Sequence, residues 1–332
     1  MTETNPEFMH SIPELQQKIT ETFSSENFLF EPGALYEPIA YALAQGGKRI
    51  RPLLVLMSAD LFGGDIAEAI KPSVGVELFH NFTLLHDDIM DNASIRRGRP
   101  SVHKKWNPNV AILSGDTMFV MAYDYICQVR KEVLPETVEL FNDTARKVCE
   151  GQQYDMDFET MHDVSIDDYL MMIRLKTAVL LACSVKLGAI LANAGPDETR
   201  VIYEFGDNLG MAFQLQDDYL DIFGDTSKFG KEIGGDIVTN KKTFLYLKAF
   251  ETAVGDDRVR LTNYFTDKEL DNGTKIEKVR EMYAALGVDR MTRELVEHYL
   301  GKALANLDEL NVPASRKEGL RQLALEMLNR EA

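Results

Sequence analysis

ELFHNFTLLHDDIMD, residues 77–91, runs from an apolar stripe straight into three carboxylates. Leu78, Phe82, Leu85 and Ile89 recur at i, i+4, i+7 and i+11, the repeat of one helix face. The stretch therefore predicts an α-helix that ends on an Asp-Asp-x-x-Asp motif. The motif returns in DDYLD at 217–221, again behind apolar residues: Leu209, Met211, Ala212, Phe213 and Leu215. Residues four apart on a helix lie about 40° apart on the wheel. Asp87 and Asp91 thus share a face, with Asp88 beside them. Asp217, Asp221 and Asp218 repeat that arrangement, with Gln214 in the same arc.

One acidic triplet on a helix is ordinarily a solvated face. Six acids at the ends of two apolar helices are another matter, because buried charge is costly unless it is paired or metal-bound. Carboxylates this close also raise one another's pKa, and a hard divalent cation removes that penalty. Mg²⁺ prefers oxygen ligands, retained waters and substrate phosphates over an all-protein cage. Two such faces meeting across a cavity predict Mg²⁺ ions on a phosphorylated substrate.

The rest of the composition fits a helical enzyme. The chain has 332 residues, 45% of them hydrophobic, enough for a large core. Its net charge, 36 − 53 = −17, argues against nucleic acid as a partner. Cys127, Cys149 and Cys183 form no CxxC pair and read as reduced, buried thiols of a cytoplasmic protein. MTETNPEF at the start has neither the basic nor the apolar region of a secretion signal. The most apolar stretch, 178–194, carries Lys186 and is short for a membrane span, so a buried core helix is expected and no transmembrane segment.

Helical signals dominate along the chain. Between Thr137 and Val312 Pro196 is the lone proline, which leaves room for long helices. Pro38, Pro52, Pro72, Pro108, Pro135 and Pro313 sit where helices would start or break. No hairpin signature is visible, and Asn272-Gly273 reads as a charged turn between helices. The expectation is an all-α, single-domain bundle of about ten to fourteen helices spanning 1–332 around a central cavity. After the second acidic motif comes GDTSKFGKEIGGDIVTNKK, 224–242, rich in glycine and lysine, which reads as a lid whose lysines reach phosphate oxygens.

Two basic islands interrupt the acidic trend. GGKRIRP, 46–52, carries Lys48, Arg49 and Arg51, and RRGRPSVHKK, 96–105, opens on Arg96 and Arg97 just past the first acidic motif. Gly46-Gly47 lets backbone approach a ligand closely, arginine offers a fork for phosphate oxygens and lysine a point charge. The chemistry separates into two anion sites, one diphosphate held through Mg²⁺ and another held directly by Lys and Arg.

Taken together these residues resemble the trans-isoprenyl diphosphate synthase (polyprenyl synthetase) family, short-chain type. The likeness covers about 36–247 and rests on six ordered motifs: GGKRIRP, ELFHNFTLLHDDIMDNASIRRGRPSVH at 77–103, GQQYD at 151–155, RLKTA at 174–178, FQLQDDYLDIFGD at 213–225, and GK…GGD…NKKT across 230–243. The resemblance implies the isoprenoid synthase fold and condensation of isopentenyl diphosphate with an allylic diphosphate (dimethylallyl, geranyl or farnesyl), with release of pyrophosphate. It implies three Mg²⁺ on Asp87, Asp91 and Asp217, supported by Asp88, Asp218 and Asp221. Lys48, Arg51, His80 and Arg97 correspond to the isopentenyl diphosphate site. Arg96, Lys176, Lys231 and Lys241 correspond to contacts with the allylic diphosphate. Thr177, Gln214 and the carbonyl of Lys176 would face the allylic cation, with Gln152 and Asp155 shaping the same pocket. The segment after Lys231 is about one residue longer than in animal farnesyl synthases, which leaves Lys241 and Lys242 both open. A homodimer is implied as well, and the surplus of apolar helices such as 110–127 agrees.

Two alternatives within reach of the same motifs are a class I terpene cyclase and a non-catalytic partner subunit of another prenyl synthase. Cyclases of that class carry an Asn-Ser-Glu type motif in place of the second acidic one, and partner subunits usually have one motif degraded. A purely structural or metal-buffering helical protein would leave the basic islands unexplained. Product length turns on the residues before Asp87. At about 1.5 Å rise per residue, Phe82 lies roughly 7.5 Å down the helix, Thr83 one residue nearer and Phe79 a turn further. By resemblance these line the floor for the growing tail, and a Phe-Thr pair is similar to twenty-carbon synthases. The expectation is fifteen to twenty carbons, nearer twenty.

Overall fold

The computed structural model describes residues 10–224 and 234–328, and helices account for most of them. In chain order they are α1 (Ile12–Ser25), α2 (Gly33–Ala44), α3 (Ile50–Leu61), α4 (Ile66–Met90), α5 (Val102–Lys105), α6 (Pro108–Ile126), α7 (Leu134–Thr160) and α8 (Ile166–Ile173). A π-helical turn, Arg174–Ala178, joins α8 to α9 (Val179–Leu191). Then come α10 (Pro196–Phe223), α11 (Gly235–Val238), α12 (Phe244–Thr252), α13 (Gly255–Thr266), α14 (Asn272–Ala285), α15 (Val288–Glu309) and α16 (Ala314–Leu328). No helix among the described residues is long and apolar enough to cross a membrane.

Local chemistry sets many of the starts. Ser11 and Glu14 cap α1 reciprocally, and Ser165 and Asp168 do the same for α8. Asp65, Asn107 and Asp271 accept from the first turns of α4, α6 and α14. Such caps satisfy amides that the helix cannot, and each contributes about 1 kcal/mol.

The chain falls into two compact units. One comprises 1–142, 183–200 and 311–320. Within it α4 packs along α6, with α3 on α4 and α2 on α6. Gly75 on α4 permits the close approach: a methyl there would lie 2.8 Å from the Ala122 carbonyl oxygen of α6. Helix α3 is buried on every side from Pro52 to Leu61, the mark of a central helix. The other unit comprises 143–182, 201–310 and 321–332. One of its cores joins Tyr169, Met172 and Ile173 of α8 to Met211 and Leu215 of α10 and to Val296 and Tyr299 of α15. A second joins Ile222, Leu245, Leu261, Val279 and Tyr283.

Four details differ from the expectations above. Cys127 and Cys149 are exposed instead of buried, and Cys183 alone of the three lies in the core. Pro38 and Pro72 lie inside α2 and α4 instead of at their ends. An internal proline forfeits a helical hydrogen bond, at about 3 kcal/mol; both rings are buried, and that packing offsets the loss. Asn272-Gly273 opens α14 behind its Asp271 cap instead of forming a turn. A small hairpin is present too: Ile95–Arg96 pairs antiparallel with Arg99–Pro100. Its turn places Arg97 (φ 51°) and Gly98 (φ 72°) in the left-handed region, the backbone of a type I′ hairpin. An arginine in that role carries no turn signal in the sequence.

Candidate active site

In the first unit the acidic motif closes α4. Asp87 and Asp88 occupy the last turn and Asp91 is the C-cap, its amide donating to the Asp87 carbonyl at 2.9 Å. No basic residue shares that turn. The C-terminus of a helix carries partial negative charge, so carboxylates gathered there are repelled by the dipole as well as by one another. The arrangement calls for a cation. Arg96 supplies part of it: its Nη2 and Nε donate to Asp88 Oδ1 at 2.6 and 2.9 Å, and Nη2 lies 4.0 Å from Asp87 Oδ2. Asp88 is only 4% exposed, and burial pushes its carboxyl up against the pull of Arg96. Asp87 is more open than Asp88, leaving its oxygens more accessible to a ligand.

The basic island at 46–52 gathers on the other side of the hairpin turn. Arg51 Nη1 lies 3.1 Å from His80 Nε2. Burial first, and Arg51 second, hold the His80 pKa well below its ordinary value, so the ring is neutral and Nε2 accepts from Arg51. Arg97 donates from Nη1 to the Gly46 carbonyl. Its guanidinium lies flat on Gly47, where φ is +127° and an added methyl would sit 2.9 Å from Arg97 Cζ. Here the Gly-Gly pair has a physical reason. Glu77 lies beneath this cluster: burial raises its pKa, while Arg51, the Asn81 amide, Arg97 and Arg49 oppose the rise. Lys48 is exposed. Arg49 turns away to stack over the Phe23 ring at 4.1 Å, a cation–π contact that serves α1.

In the second unit the RLKTA motif is the π turn. Lys176 Nζ donates to Asp155 Oδ2 at 2.6 Å, and Lys241 Nζ lies 3.6 Å from the same oxygen. Burial would raise the Asp155 pKa, but Lys241 and Lys176 outweigh it and hold the carboxyl below its usual range. Thr177 Oγ1 donates to Gln214 Oε1 at 2.9 Å, and Gln214 Nε2 donates to Asp218 Oδ1 at 2.8 Å. Tyr169 donates its hydroxyl to the other oxygen of Asp218. Burial pushes Asp218 up to about 6. Asp221 accepts from the backbone amide of Asp236 at 3.0 Å. Asp236 itself is pushed well above the usual carboxylate range, chiefly by burial and then by Asp218. Lys242 donates to the Phe158 and Glu159 carbonyls and so caps the end of α7, whereas Lys241 joins Lys176 at Asp155.

Below the first motif lies an aromatic cluster. Phe79 is fully buried, 5.5 Å from Phe82, 5.7 Å from Phe119 and 5.3 Å from Phe141 between ring centroids. Phe82 stacks on Phe119 of α6 at 5.1 Å and 21°, and meets His86 edge-on. Thr83 spends its hydroxyl on the His80 carbonyl at 2.7 Å.

The first unit thus gathers Arg51, His80, Arg96, Arg97 and the Asp87 motif. The second gathers Asp155, Lys176, Thr177, Gln214, the Asp217 motif and Lys241. Lys231, like Lys228 of the glycine-rich loop, lies outside the described residues. Sequence reasoning missed the π turn, Tyr169, Glu77, Asp236 and Phe119. The π turn has a recognisable consequence only in three dimensions; Glu77 and Asp236 stood inside quoted motifs without a role being given to them, and Tyr169 and Phe119 sit at ordinary helical positions with no local signature. Among the described residues no three acidic, histidine or cysteine side chains converge to cage a metal by themselves. The all-oxygen donor set still suits Mg²⁺, which completes its shell with water and substrate phosphate.

A family model described as polyprenyl synthetase matches residues 32–286. The short chain isoprenyl diphosphate synthase of Methanothermobacter thermautotrophicus is 35% identical over 318 residues, 95% of each chain. The geranylgeranyl diphosphate synthase of Saccharolobus solfataricus is 38% identical over 300 residues, 89% of each. Among solved structures, a geranylgeranyl pyrophosphate synthase superposes with a TM-score of 0.93 at 44% identity, covering 98% of this chain and 100% of its own. The geranylgeranyl pyrophosphate synthetase of Pyrococcus horikoshii gives 0.86 at 34% identity, covering 96% and 95%.

Proposed function

The chain belongs to the polyprenyl synthetase family and is a trans-prenyltransferase, and from that premise we propose how its residues carry the reaction. Asp87 and Asp91 in the first unit and Asp217 in the second would each offer carboxylate oxygens to Mg²⁺, three ions in all, with Asp88, Asp218 and Asp221 in support. When bound, Mg²⁺ neutralises the leaving diphosphate as its C–O bond breaks. Arg96, Lys176, Lys231 and Lys241 bind that diphosphate directly. Lys48, Arg51, His80 and Arg97 hold isopentenyl diphosphate, and neutral His80 orients Arg51 by accepting its N–H.

Thr177 donates its hydroxyl proton to Gln214 and so keeps its oxygen lone pairs for the allylic cation. Oxygen dipoles in a water-excluded site stabilise that cation without quenching it. Asp218 fixes Gln214 from behind. The alkene of isopentenyl diphosphate attacks head-to-tail, and released pyrophosphate takes the last proton. Product length is fifteen to twenty carbons, nearer twenty, with Phe82 and Thr83 at the floor and Phe79 beneath. The relatives named for geranylgeranyl products favour the longer end.

The chain acts as a homodimer. Leu113 and Val120 on the outer face of α6 are 58% and 62% exposed, apolar surface that a second copy would cover. The observation that carries the whole reading is the separation of the two arginines after α4: Arg96 binds the acidic motif and Arg97 joins the Arg51–His80 cluster. Two diphosphates need two such sites. Incubation with isopentenyl diphosphate, each allylic diphosphate and Mg²⁺ should release pyrophosphate and a longer prenyl diphosphate. No product with dimethylallyl, geranyl or farnesyl diphosphate would overturn it.

A further inference from the structure

The π turn at Arg174–Ala178 is gripped by two glycines. On α7, a methyl at Gly151 would strike the Lys176 amide nitrogen and come within 2.7 Å of Lys176 Cα and the Leu175 carbonyl carbon. On α10, a methyl at Gly210 would lie 2.5 Å from Ala178 Cα and 2.7 Å from its Cβ. These are backbone or backbone-attached atoms, which cannot swing aside as a flexible side chain can.

The same two helices touch the turn again, four residues on. Asp155, four after Gly151, holds the Lys176 ammonium at 2.6 Å. Gln214, four after Gly210, holds the Thr177 hydroxyl at 2.9 Å. Positions i and i+4 share a helix face. Each flanking helix therefore presents one glycine to the backbone of the turn and one polar side chain to its side chain. A π turn is one residue wider than the α turn it replaces and is rare, appearing where surroundings enforce it. Here the enforcement is symmetrical about Lys176 and Thr177.

We propose that Gly151 and Gly210 are positioning residues: their lack of a side chain seats the π turn against α7 and α10 and thereby fixes the Lys176 carbonyl and the Thr177 oxygen at the reacting carbon. The proposal rests on the reading that Lys176 and Thr177 face the allylic cation. Neither glycine touches substrate. Each acts through the turn, where a displacement of about 1 Å costs on the order of a hundredfold in rate.

The test compares Gly151→Ala and Gly210→Ala with Gly188→Ala. Gly188 is as tightly packed, against Val55 and 2.8 Å from the Ala59 amide nitrogen, but lies ten residues beyond the turn. The readouts are circular dichroism, thermal midpoint, kcat and KM for both diphosphates, and the share of allylic substrate released as prenyl alcohol. For Gly151→Ala and Gly210→Ala, kcat should fall about tenfold or more, KM should change less than about twofold, and the alcohol share should rise. Gly188→Ala should lose thermal stability yet keep the wild-type kcat and alcohol share. Folded Gly151→Ala and Gly210→Ala enzymes with wild-type kcat and alcohol share would overturn the proposal. So would a loss confined to KM, or failure of both variants to fold while Gly188→Ala folds, since the glycines would then serve the fold alone. Thr177→Ala with an unchanged alcohol share would instead remove the reading beneath it.

Discussion

Arg96 reaches back across the end of α4 and seats its guanidinium on Asp88, with Nη2 2.6 Å from Oδ1. The pair sits at the negative end of the helix, and Asp88 is nearly inaccessible. Arg97, the next residue, points to the Gly46 carbonyl instead.

This difference separates the two arginines in stability as well as in kinetics. Arg96→Ala leaves a buried carboxylate without its partner and should lower stability by about 2 kcal/mol in urea unfolding. Arg97→Ala should cost less, because its guanidinium donates to a backbone carbonyl instead of to a buried carboxylate. In initial-rate kinetics Arg96→Ala should raise the KM of the allylic diphosphate, and Arg97→Ala that of isopentenyl diphosphate by about tenfold. Equal effects on both substrates would contradict two distinct anion sites.

Asp87→Ala and Asp217→Ala should each lower turnover by about 100-fold or more while the protein stays folded. Asp87 lies at a helix C-terminus, so its removal relieves repulsion. Turnover at saturating Mg²⁺ and thermal midpoint together decide. Near-normal turnover would mean the carboxylates are a solvated face.

Phe82→Ala should lengthen the main product and Thr83→Phe should shorten it. The ring stacked behind Phe82 adds a refinement: Phe119 remains in place after Phe82→Ala, so the double change Phe82→Ala with Phe119→Ala should lengthen the product further than either alone. The single Phe→Ala change should cost about 3 kcal/mol of stability through the void it leaves. Chromatography of dephosphorylated products reads the outcome, and an unchanged distribution in all of these variants would put the floor elsewhere.

His80 gives a pH dependence with a definite sign. Its folded pKa is depressed, so the unfolded chain binds a proton first as pH falls through about 6.5. The ordinary form of His80 therefore favours the fold above that value, and its contribution is lost progressively below it, at a slope of up to about 1.4 kcal/mol per pH unit. His80→Gln cannot titrate and should flatten the stability profile below pH ~6.5. Identical profiles would show that His80 is not held neutral.

Val120→Glu should convert dimers to single 37.5 kDa chains, as light scattering would register, because a charge on an apolar interface is costly to bury. A wild-type mass of one chain at micromolar concentration would refute the dimer itself.

The sequence by itself determined the helical class and the two acidic helix ends, and it nominated the site residues. These are written in local spacing: apolar residues every three to four positions, acids at i and i+4, basic islands with glycine beside them. Local spacing could not separate Arg49 from Arg51, which only the family resemblance divided, nor Lys241 from Lys242, since neighbours in an island look alike. Tertiary structure decided those: Arg49 stacks on Phe23 while Arg51 meets His80, and Lys242 caps α7 while Lys241 joins Asp155. It also decided that RLKTA is a π turn and that Phe119 backs Phe82. Both depend on which helices pack together, and a packing partner distant in sequence leaves no periodic trace in the segment it touches.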